Sequence, residues 1–188
     1  MAELFADLFV SVDGSAFGTR SPGYFGFYGP DLERWITGER AYPRLDVMGR
    51  RTYETLAGLP EEHRDDRWTA MAARPTVVFS RTLTEAAWPG VQLDPGDAVE
   101  RVRQLRAGHG PDLRTIGSLS VVHQLLGAGL VDHLRLLVFP LVLGETGRQP
   151  VFEGLGDFEL RLHRQAVLDG RIVLLDYRPG GAPPYAAG

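Results

Sequence analysis

A chain of 188 residues fits one domain with a substantial core, because about 70% of the unfolded surface can be buried at this length. Its 20 basic and 24 acidic residues give a net charge of −4 without a basic block, which argues against a nucleic-acid partner, and the lack of cysteine excludes disulfides and thiolate metal sites. No apolar run is long enough to span a membrane and Glu3 and Asp7 stand where a signal peptide carries basic charge, so we expect a cytoplasmic protein with no membrane partner.

The chain begins with a predicted strand and an aromatic loop. The apolar run 4–12 predicts a buried strand that ends at the turn signal Asp13-Gly14. Residues 15–29 mix glycines with aromatics, a composition that suits either a mobile flap over a flat ring or a surface loop with a few aromatics against the core. The aromatics that we expect to contact a substrate are Phe17, Tyr24 and Phe27.

A helix is predicted to begin at Pro30, with Asp31 and Glu33 in its first turn. Asp31 has two interpretations. It either complements the helix dipole, or it is a carboxylate that holds or protonates a nitrogen heterocycle.

Two strand ends carry residues that suit a phosphate group. The predicted strand 45–48 is followed by Gly49, Arg50 and Thr52, where N–H groups, a guanidinium and a hydroxyl converge in a first helical turn. The predicted strand 75–79 is followed by Ser80-Arg81, which suits a ribose 2′-phosphate at the carboxyl edge of an open sheet. Surface charges and a polar turn are the alternatives.

The segment 112–152 contains the unit around which the chain is organised. A strand at 113–116, a glycine turn at Gly117-Ser118, a helix from Leu119 and an apolar strand at 134–143 form a crossover unit. The first turn of such a helix suits a phosphate, although many strand-to-helix junctions need a glycine only for their backbone geometry.

The remaining pattern predicts ordinary packing elements. A short strand at 91–93 precedes a helix at 97–107, and alternation at 158–163 followed by Asp169-Gly170 predicts a C-terminal hairpin that returns over 171–177. We expect one domain over residues 1–178 and a disordered tail at 179–188.

The five histidines form no pair at i,i+3 or i,i+4 and there is no G-x-S-x-G motif, so we expect neither a metal site nor a hydrolase.

Four segments, 11–14, 46–54, 76–83 and 116–144, together resemble the dihydrofolate reductase superfamily. The closer match is its branch related to the reductase domain of bacterial riboflavin biosynthesis, the RibD C-terminal domain. The resemblance implies a dihydrofolate reductase-like three-layer α/β/α fold, with a mostly parallel central sheet and an antiparallel C-terminal edge. It also implies NADPH as the hydride donor, and a homodimer.

The resemblance implies roles for individual residues. Asp13 and Gly14 would lie beside the nicotinamide, and Asp31 would correspond to the carboxylate that grips the pterin. The other residues that it assigns to the cofactor are Gly49, Arg50 and Thr52 at a phosphate end, Ser80 and Arg81 near the 2′-phosphate, and Gly117, Ser118, Leu119 and Ser120 under the pyrophosphate.

The chain departs from the family at three places. True dihydrofolate reductases have a cis Gly-Gly pair where this chain has Gly117-Ser118, which favours the riboflavin-like branch. His133 replaces the usual acidic residue, and 144–147 is longer than the common glycine pair. No deaminase domain precedes the predicted reductase, which argues against the bifunctional riboflavin enzyme.

We therefore predict an NADPH-dependent reductase of a small heterocyclic (pterin- or aminopyrimidine-like) or carbonyl substrate. A hydride would pass to a ring held under the loop 15–29, with Asp31 orienting or protonating that ring. One alternative is a dimeric nicotinamide-nucleotide-binding protein without turnover. The other is a true dihydrofolate reductase, which Ser118 opposes.

Overall fold

The computed structural model describes residues 1–186, and this part of the chain contains ten strands and five α-helices. The strands are β1 Leu4–Ser11, β2 Ser15–Gly18, β3 Arg44–Gly49, β4 Thr76–Phe79, β5 Val91–Asp94, β6 Asp112–Gly117, β7 His133–Phe139, β8 Gly147–Pro150, β9 Leu160–Leu168 and β10 Ile172–Pro179. The helices are α1 Pro30–Ala41, α2 Arg50–Ala57, α3 Asp66–Ala72, α4 Ala98–Ala107 and α5 Leu119–Gly127. No helix in residues 1–186 is both long and apolar enough to cross a membrane.

Within the span that the sequence predicts as one domain, the residues cluster into two compact units. The first unit consists of residues 1–5 and 40–130, and the second of residues 6–39 and the chain from Val131 onward.

The sheet of the first unit has the strand order β5-β4-β3-β6, with the first residues of β1 beside β6. Strand β3 pairs parallel with β4, where Asp46 is opposite Thr76, and with β6, where Arg44 is opposite Asp112. Strand β4 also pairs parallel with β5. Nearly all of β3 is buried, as expected where helices cover both faces of a parallel sheet. Beside the sheet, an apolar cluster is formed by Met48, Tyr53, Ala72, Val78 and Trp88.

The second unit contains the rest of β1, and its strands have the order β1-β7-β10-β9. Strand β10 pairs antiparallel with both β7 and β9, which confirms the predicted antiparallel C-terminal edge. Asp169 and Gly170 both have positive φ in the turn between β9 and β10, as the hairpin signal predicts. The core of this unit is formed by Leu32, Ile36, Leu137, Phe139, Leu168, Ile172 and Leu174.

Two boundaries in the second unit differ from the sequence prediction. Strand β7 ends at Phe139 rather than 143, because Pro140 has no N–H with which to continue a ladder. The predicted disordered tail is wrong for its first part, since β10 includes Pro179 and the Gly180 N–H donates to the Glu159 carbonyl at 2.7 Å. Residues 187 and 188 lie outside the described part of the chain.

Candidate functional site

Three turns lie at the edge of the first unit's sheet where its parallel strands end. We call this edge the carboxyl edge. The turns follow β3 at Gly49, β4 at Ser80 and β6 at Gly117. Gly49 is opposite Phe79 in one parallel pair, and Met48 is opposite Gly117 in the other, so the three strands end at the same level. The structure thus brings together the three turns that the sequence analysis identifies as suited to a phosphate.

The first and third of these turns approach each other so closely that glycine is needed in both. A Cβ on Gly49 would lie 2.5 Å from the Ser118 Oγ, and one on Gly117 would lie 2.9 Å from the Thr52 Oγ1. Gly117 also has a φ of 112°, which side chains rarely adopt. The Gly117-Ser118 peptide bond, whose geometry the sequence leaves open, is cis.

Two helices begin at these turns without a side-chain hydrogen bond at their N-caps. Gly49 is the N-cap of α2 and Ser118 that of α5, and no side chain of either residue accepts an N–H group of its helix. The first N–H groups of each helix therefore point out of its N-terminus, where the positive end of the helix dipole lies. The Ser118 and Ser120 hydroxyls are 2.8 Å apart at the start of α5. N–H groups and hydroxyls in this arrangement suit an anion such as phosphate.

The turn after β4 is ordered by its own hydroxyl. Ser80 is buried, and its Oγ accepts the N–H groups of Thr82 at 3.2 Å and Leu83 at 3.0 Å. Arg50 reaches this turn, donating from Nη1 to the Thr82 Oγ1 at 2.9 Å. Arg81 is exposed. Two guanidinium groups therefore belong to adjacent turns of the carboxyl edge, a charge arrangement that suits a second phosphate. Thr82 is a contributor that the sequence interpretation missed.

In the second unit, Asp13 is held as a carboxylate by hydrogen bonds. Its Oδ1 accepts the Ser11 hydroxyl at 2.6 Å, and its Oδ2 accepts the Gly144 N–H at 2.8 Å, with the Leu143 N–H at 3.2 Å. These bonds, led by the one from Ser11, lower the pKa of Asp13 from 3.8 to about 2. Gly14, with a φ of 78°, completes the turn between β1 and β2. Asp13 is therefore ionised at neutral pH and ties this turn to residues 143–144, which makes it a poor proton donor.

The Asp31 carboxylate, at the start of α1, accepts hydrogen bonds from other residues of the chain. Its Oδ2 accepts the Asp169 N–H at 2.9 Å, while the Asp169 carboxylate accepts the N–H groups of Asp31 at 2.8 Å and Leu32 at 3.1 Å. Its other oxygen accepts a hydrogen bond from Arg34. The Asp31 carboxylate thus links the start of α1 to the turn that contains Asp169, and its place in the first turn of α1 also suits the helix dipole. The capping residue Asp169 could not be identified from sequence, because it lies 138 residues further along the chain.

The aromatic loop is packed rather than free. The ring of Tyr24 lies 5.2 Å from that of Phe9, and the rings of Phe25 and Phe27 lie 5.2 and 6.0 Å from that of Phe139. Of the three predicted substrate contacts, Phe17 is exposed, at 43%, whereas Tyr24 and Phe27 are partly buried. The alternative of aromatics held against the core therefore describes Tyr24 and Phe27. Residues 15–18 form β2, whose pairing with β8 the sequence did not indicate.

A cluster of polar side chains that the sequence interpretation missed lies in the second unit. His133, His163 and Asp176 stand on β7, β9 and β10, and one ligand atom from each lies within 4.8 Å of the others. The spacing of these three residues in the sequence does not indicate a cluster, because each residue comes from a different strand.

A family model described as the RibD C-terminal domain matches residues 2–174. The chain is 27% identical over 111 residues to the uncharacterized protein YyaP of Bacillus subtilis (strain 168). That alignment covers 56% of this chain and 57% of YyaP, so the matched segment spans little more than half of the curated relative.

Two solved structures share the fold. A diaminohydroxyphosphoribosylaminopyrimidine deaminase/5-amino-6-(5-phosphoribosylamino)uracil reductase from Thermotoga maritima is 15% identical, with a TM-score of 0.64 over 95% of this chain and 56% of that one. The dihydrofolate reductase from Enterococcus faecalis, complexed with NADP(H), is 17% identical, with a TM-score of 0.61 over 94% and 96% of the two chains.

These likenesses confirm the fold class that the sequence predicts, a three-layer α/β fold with a mostly parallel central sheet and antiparallel edge strands. The family model covers nearly the whole chain and all three turns of the carboxyl edge. The protein therefore belongs to the RibD C-terminal domain family.

Proposed function

We propose that the protein is an NADPH-dependent reductase of a small heterocyclic substrate, pterin- or aminopyrimidine-like, or of a carbonyl compound. The observation that carries the proposal is the meeting of the turns at Gly49, Ser80 and Gly117 on one edge of the first unit's sheet. Two relatives support it by their names, one a reductase of an aminouracil and the other a dihydrofolate reductase complexed with NADP(H). A homodimer, which the family implies, remains a prediction.

The residues at the carboxyl edge fit a phosphorylated dinucleotide. The first N–H groups of α2 and α5, with the hydroxyls of Thr52, Ser118 and Ser120, would bind the pyrophosphate. Arg50, Arg81 and the Ser80 hydroxyl, which still has a proton to donate, would bind the 2′-phosphate that distinguishes NADPH from NADH. The glycines at 49 and 117 permit the close backbone approach that this binding needs.

When bound, the reduced nicotinamide supplies the hydride, and the residues of the chain bind and orient the reactants. Asp31 would orient the substrate ring through the lone pairs that its present hydrogen bonds leave, since each carboxylate oxygen can accept more than one bond. Asp13, with a pKa of about 2, would keep the turn between β1 and β2 ordered rather than donate a proton. Phe17 is the exposed aromatic that would contact the substrate.

A thermal melt with NADPH and with NADH tests the cofactor. Ligand at about 100 times its dissociation constant stabilises a protein by roughly 2.7 kcal/mol, which for a chain of this size is a shift of roughly 5–10 °C. We expect a shift with NADPH and a smaller one with NADH at equal concentration. No shift with either nucleotide would remove the reductase proposal.

Binding without turnover is the second candidate, and a specific observation favours it. Both oxygens of Asp31 already accept hydrogen bonds from Asp169 and Arg34, which explains this residue without a substrate. NADPH oxidation measured with an aminopyrimidine, with dihydrofolate and without substrate separates the cases. Turnover with the aminopyrimidine alone supports our proposal, turnover with dihydrofolate supports a true dihydrofolate reductase, and binding without any turnover supports the second candidate.

A further inference from the structure

Three neighbouring strands of the second unit each contribute one potential metal ligand to a single cluster. His133 Nδ1 lies 2.8 Å from the Asp176 Oδ1, and the rings of His133 and His163 lie 5.4 Å apart at 75°. One ligand atom from each of the three residues lies within 4.8 Å of the other two. The group is therefore compact although its members come from β7, β9 and β10.

A break in the strand pairing occurs at the third member of this cluster. Asp176 of β10 is opposite Arg164 of β9, and Tyr177 is opposite Leu162, so His163 is the additional residue of a β-bulge. Bulges of this kind bend a strand and re-aim a side chain, and they are frequent beside functional sites. A structural His133–Asp176 pair alone would not require a bulge on the strand that carries His163.

Burial gives the cluster a closed side and an open side. His133 is 5% exposed and Asp176 is 7% exposed, whereas His163 is exposed to solvent. An ion could reach the buried pair from the side of His163 and keep a water molecule as a further ligand. Three protein ligands and one open position are the arrangement of many zinc sites with nitrogen and oxygen ligands.

We propose that His133, His163 and Asp176 bind a divalent metal ion of the first transition row, with Zn²⁺ as the expected ion. Two imidazole nitrogens and one carboxylate oxygen suit Zn²⁺, Co²⁺ or Ni²⁺, whereas Mg²⁺ and Ca²⁺ prefer oxygen ligands alone. Tetrahedral ligands about 2.1 Å from a metal lie about 3.4 Å apart, so no pair of the cluster has to close by more than about 1.4 Å, and the His133–Asp176 pair, now 2.8 Å apart, has to open by about 0.6 Å. Rotation of the exposed His163 side chain supplies the closing movement. The site shares no residue with the nucleotide site proposed above.

The test uses the full chain without a histidine tag, stripped of metal by a chelator. Co²⁺ titration is followed by the visible absorption of the bound ion, which reports its coordination geometry, and Zn²⁺ competition then gives the zinc affinity. The site variant is His163→Ala, which removes an exposed side chain and leaves the buried pair in place. The control is His109→Ala, which removes an exposed histidine from the first unit.

We expect the wild-type chain and His109→Ala to bind one Co²⁺ per chain with the same spectrum and affinity, and Zn²⁺ to displace it. His163→Ala is expected to weaken binding by at least about 10-fold, the lower end of the loss seen when even a supporting partner is removed. Its melting temperature without metal should match that of the wild type, which separates ligand loss from unfolding. Equal affinity in the wild type and His163→Ala, or the absence of any Co²⁺ spectrum in the wild type, would overturn the proposal.

Discussion

Asp31 and Asp169 cap each other across 138 residues of sequence. Each carboxylate accepts the backbone N–H of the other residue, at 2.8 and 2.9 Å, so the start of α1 and the turn between β9 and β10 are held together within the second unit. Gly29 permits this contact, because a Cβ there would overlap the Asp169 carboxylate. The first turn of α1 thus depends on a residue from the far end of the chain.

This pair allows the proposed substrate-orienting role of Asp31 to be separated from its structural role. Asp31→Ala and Asp169→Ala each remove one carboxylate of this pair, and we expect each to lower the free energy of unfolding by about 1 kcal/mol, the usual effect when a capping side chain is replaced by alanine. If Asp31 orients the substrate, only Asp31→Ala should also lower kcat, on the order of 100-fold. Unfolding curves and steady-state kinetics of the two variants measure both effects. Equal kcat in the two variants would leave Asp31 with its capping role alone.

Gly49→Ala tests the close approach of the two glycine turns. The added Cβ would lie 2.5 Å from the Ser118 Oγ, so we expect a loss of about 1–3 kcal/mol in stability and a marked loss of NADPH affinity. Gly127→Ala is the matched control, because a Cβ at this position in α5 meets no atom within 4 Å and alanine favours the helix. Adding Ser118→Gly to Gly49→Ala should restore part of the lost stability. Two glycine variants with the same unfolding midpoint would contradict the proposed contact.

Arg81→Ala tests the selectivity between the two nicotinamide cofactors. A hydrogen bond to a charged group contributes about 1.5–3 kcal/mol, so loss of the guanidinium should weaken NADPH binding by roughly 10- to 100-fold. NADH, which lacks the 2′-phosphate, should bind almost unchanged. Titration calorimetry with both nucleotides gives the two affinities, and Arg103→Ala on the exposed face of α4 is the control. Equal losses for NADPH and NADH would show that Arg81 does not contact the 2′-phosphate.

The Asp13 carboxylate is expected to make stability depend on pH at the acidic end. Its pKa in the folded protein, about 2, lies below the ordinary 3.8, chiefly because of the Ser11 hydroxyl and then the Gly144 N–H. A lowered folded pKa means that the carboxylate contributes fully above about pH 4 and loses its contribution as the pH falls toward 2. We expect the melting temperatures of the wild type and Asp13→Asn to differ by a constant amount above pH 4 and to converge below it. A difference that stays constant down to pH 2 would contradict this role for Asp13.

Local sequence signals predicted most of the parallel half of the protein. Three apolar runs, each followed by a turn signal at Gly49, Ser80 or Gly117, identify β3, β4 and β6. The chain must turn where each strand ends, and the carboxyl ends of parallel strands lie at the same edge of a sheet. Pro30 and the acids after it marked the start of α1 for the same local reason.

The features that sequence did not indicate depend on contacts between distant residues. Asp169 reaches Asp31 only after the C-terminal hairpin has formed, and His163 joins His133 and Asp176 only through three strands and a bulge. Strand β2 is short and contains glycine, so its sequence is typical of a loop. It forms a strand because it pairs with β8. The packing of Tyr24 against Phe9 likewise needs the folded core.

The central claim is that the three turns of the carboxyl edge bind one nicotinamide dinucleotide. Backbone amide chemical shifts measured in ¹⁵N-labelled protein during titration with NADPH test it most directly. The account predicts that the largest shifts fall on the N–H groups that follow the three turns, at Arg50, Arg81 and Leu119. Shifts confined to the second unit, or no shifts at saturating NADPH, would contradict it.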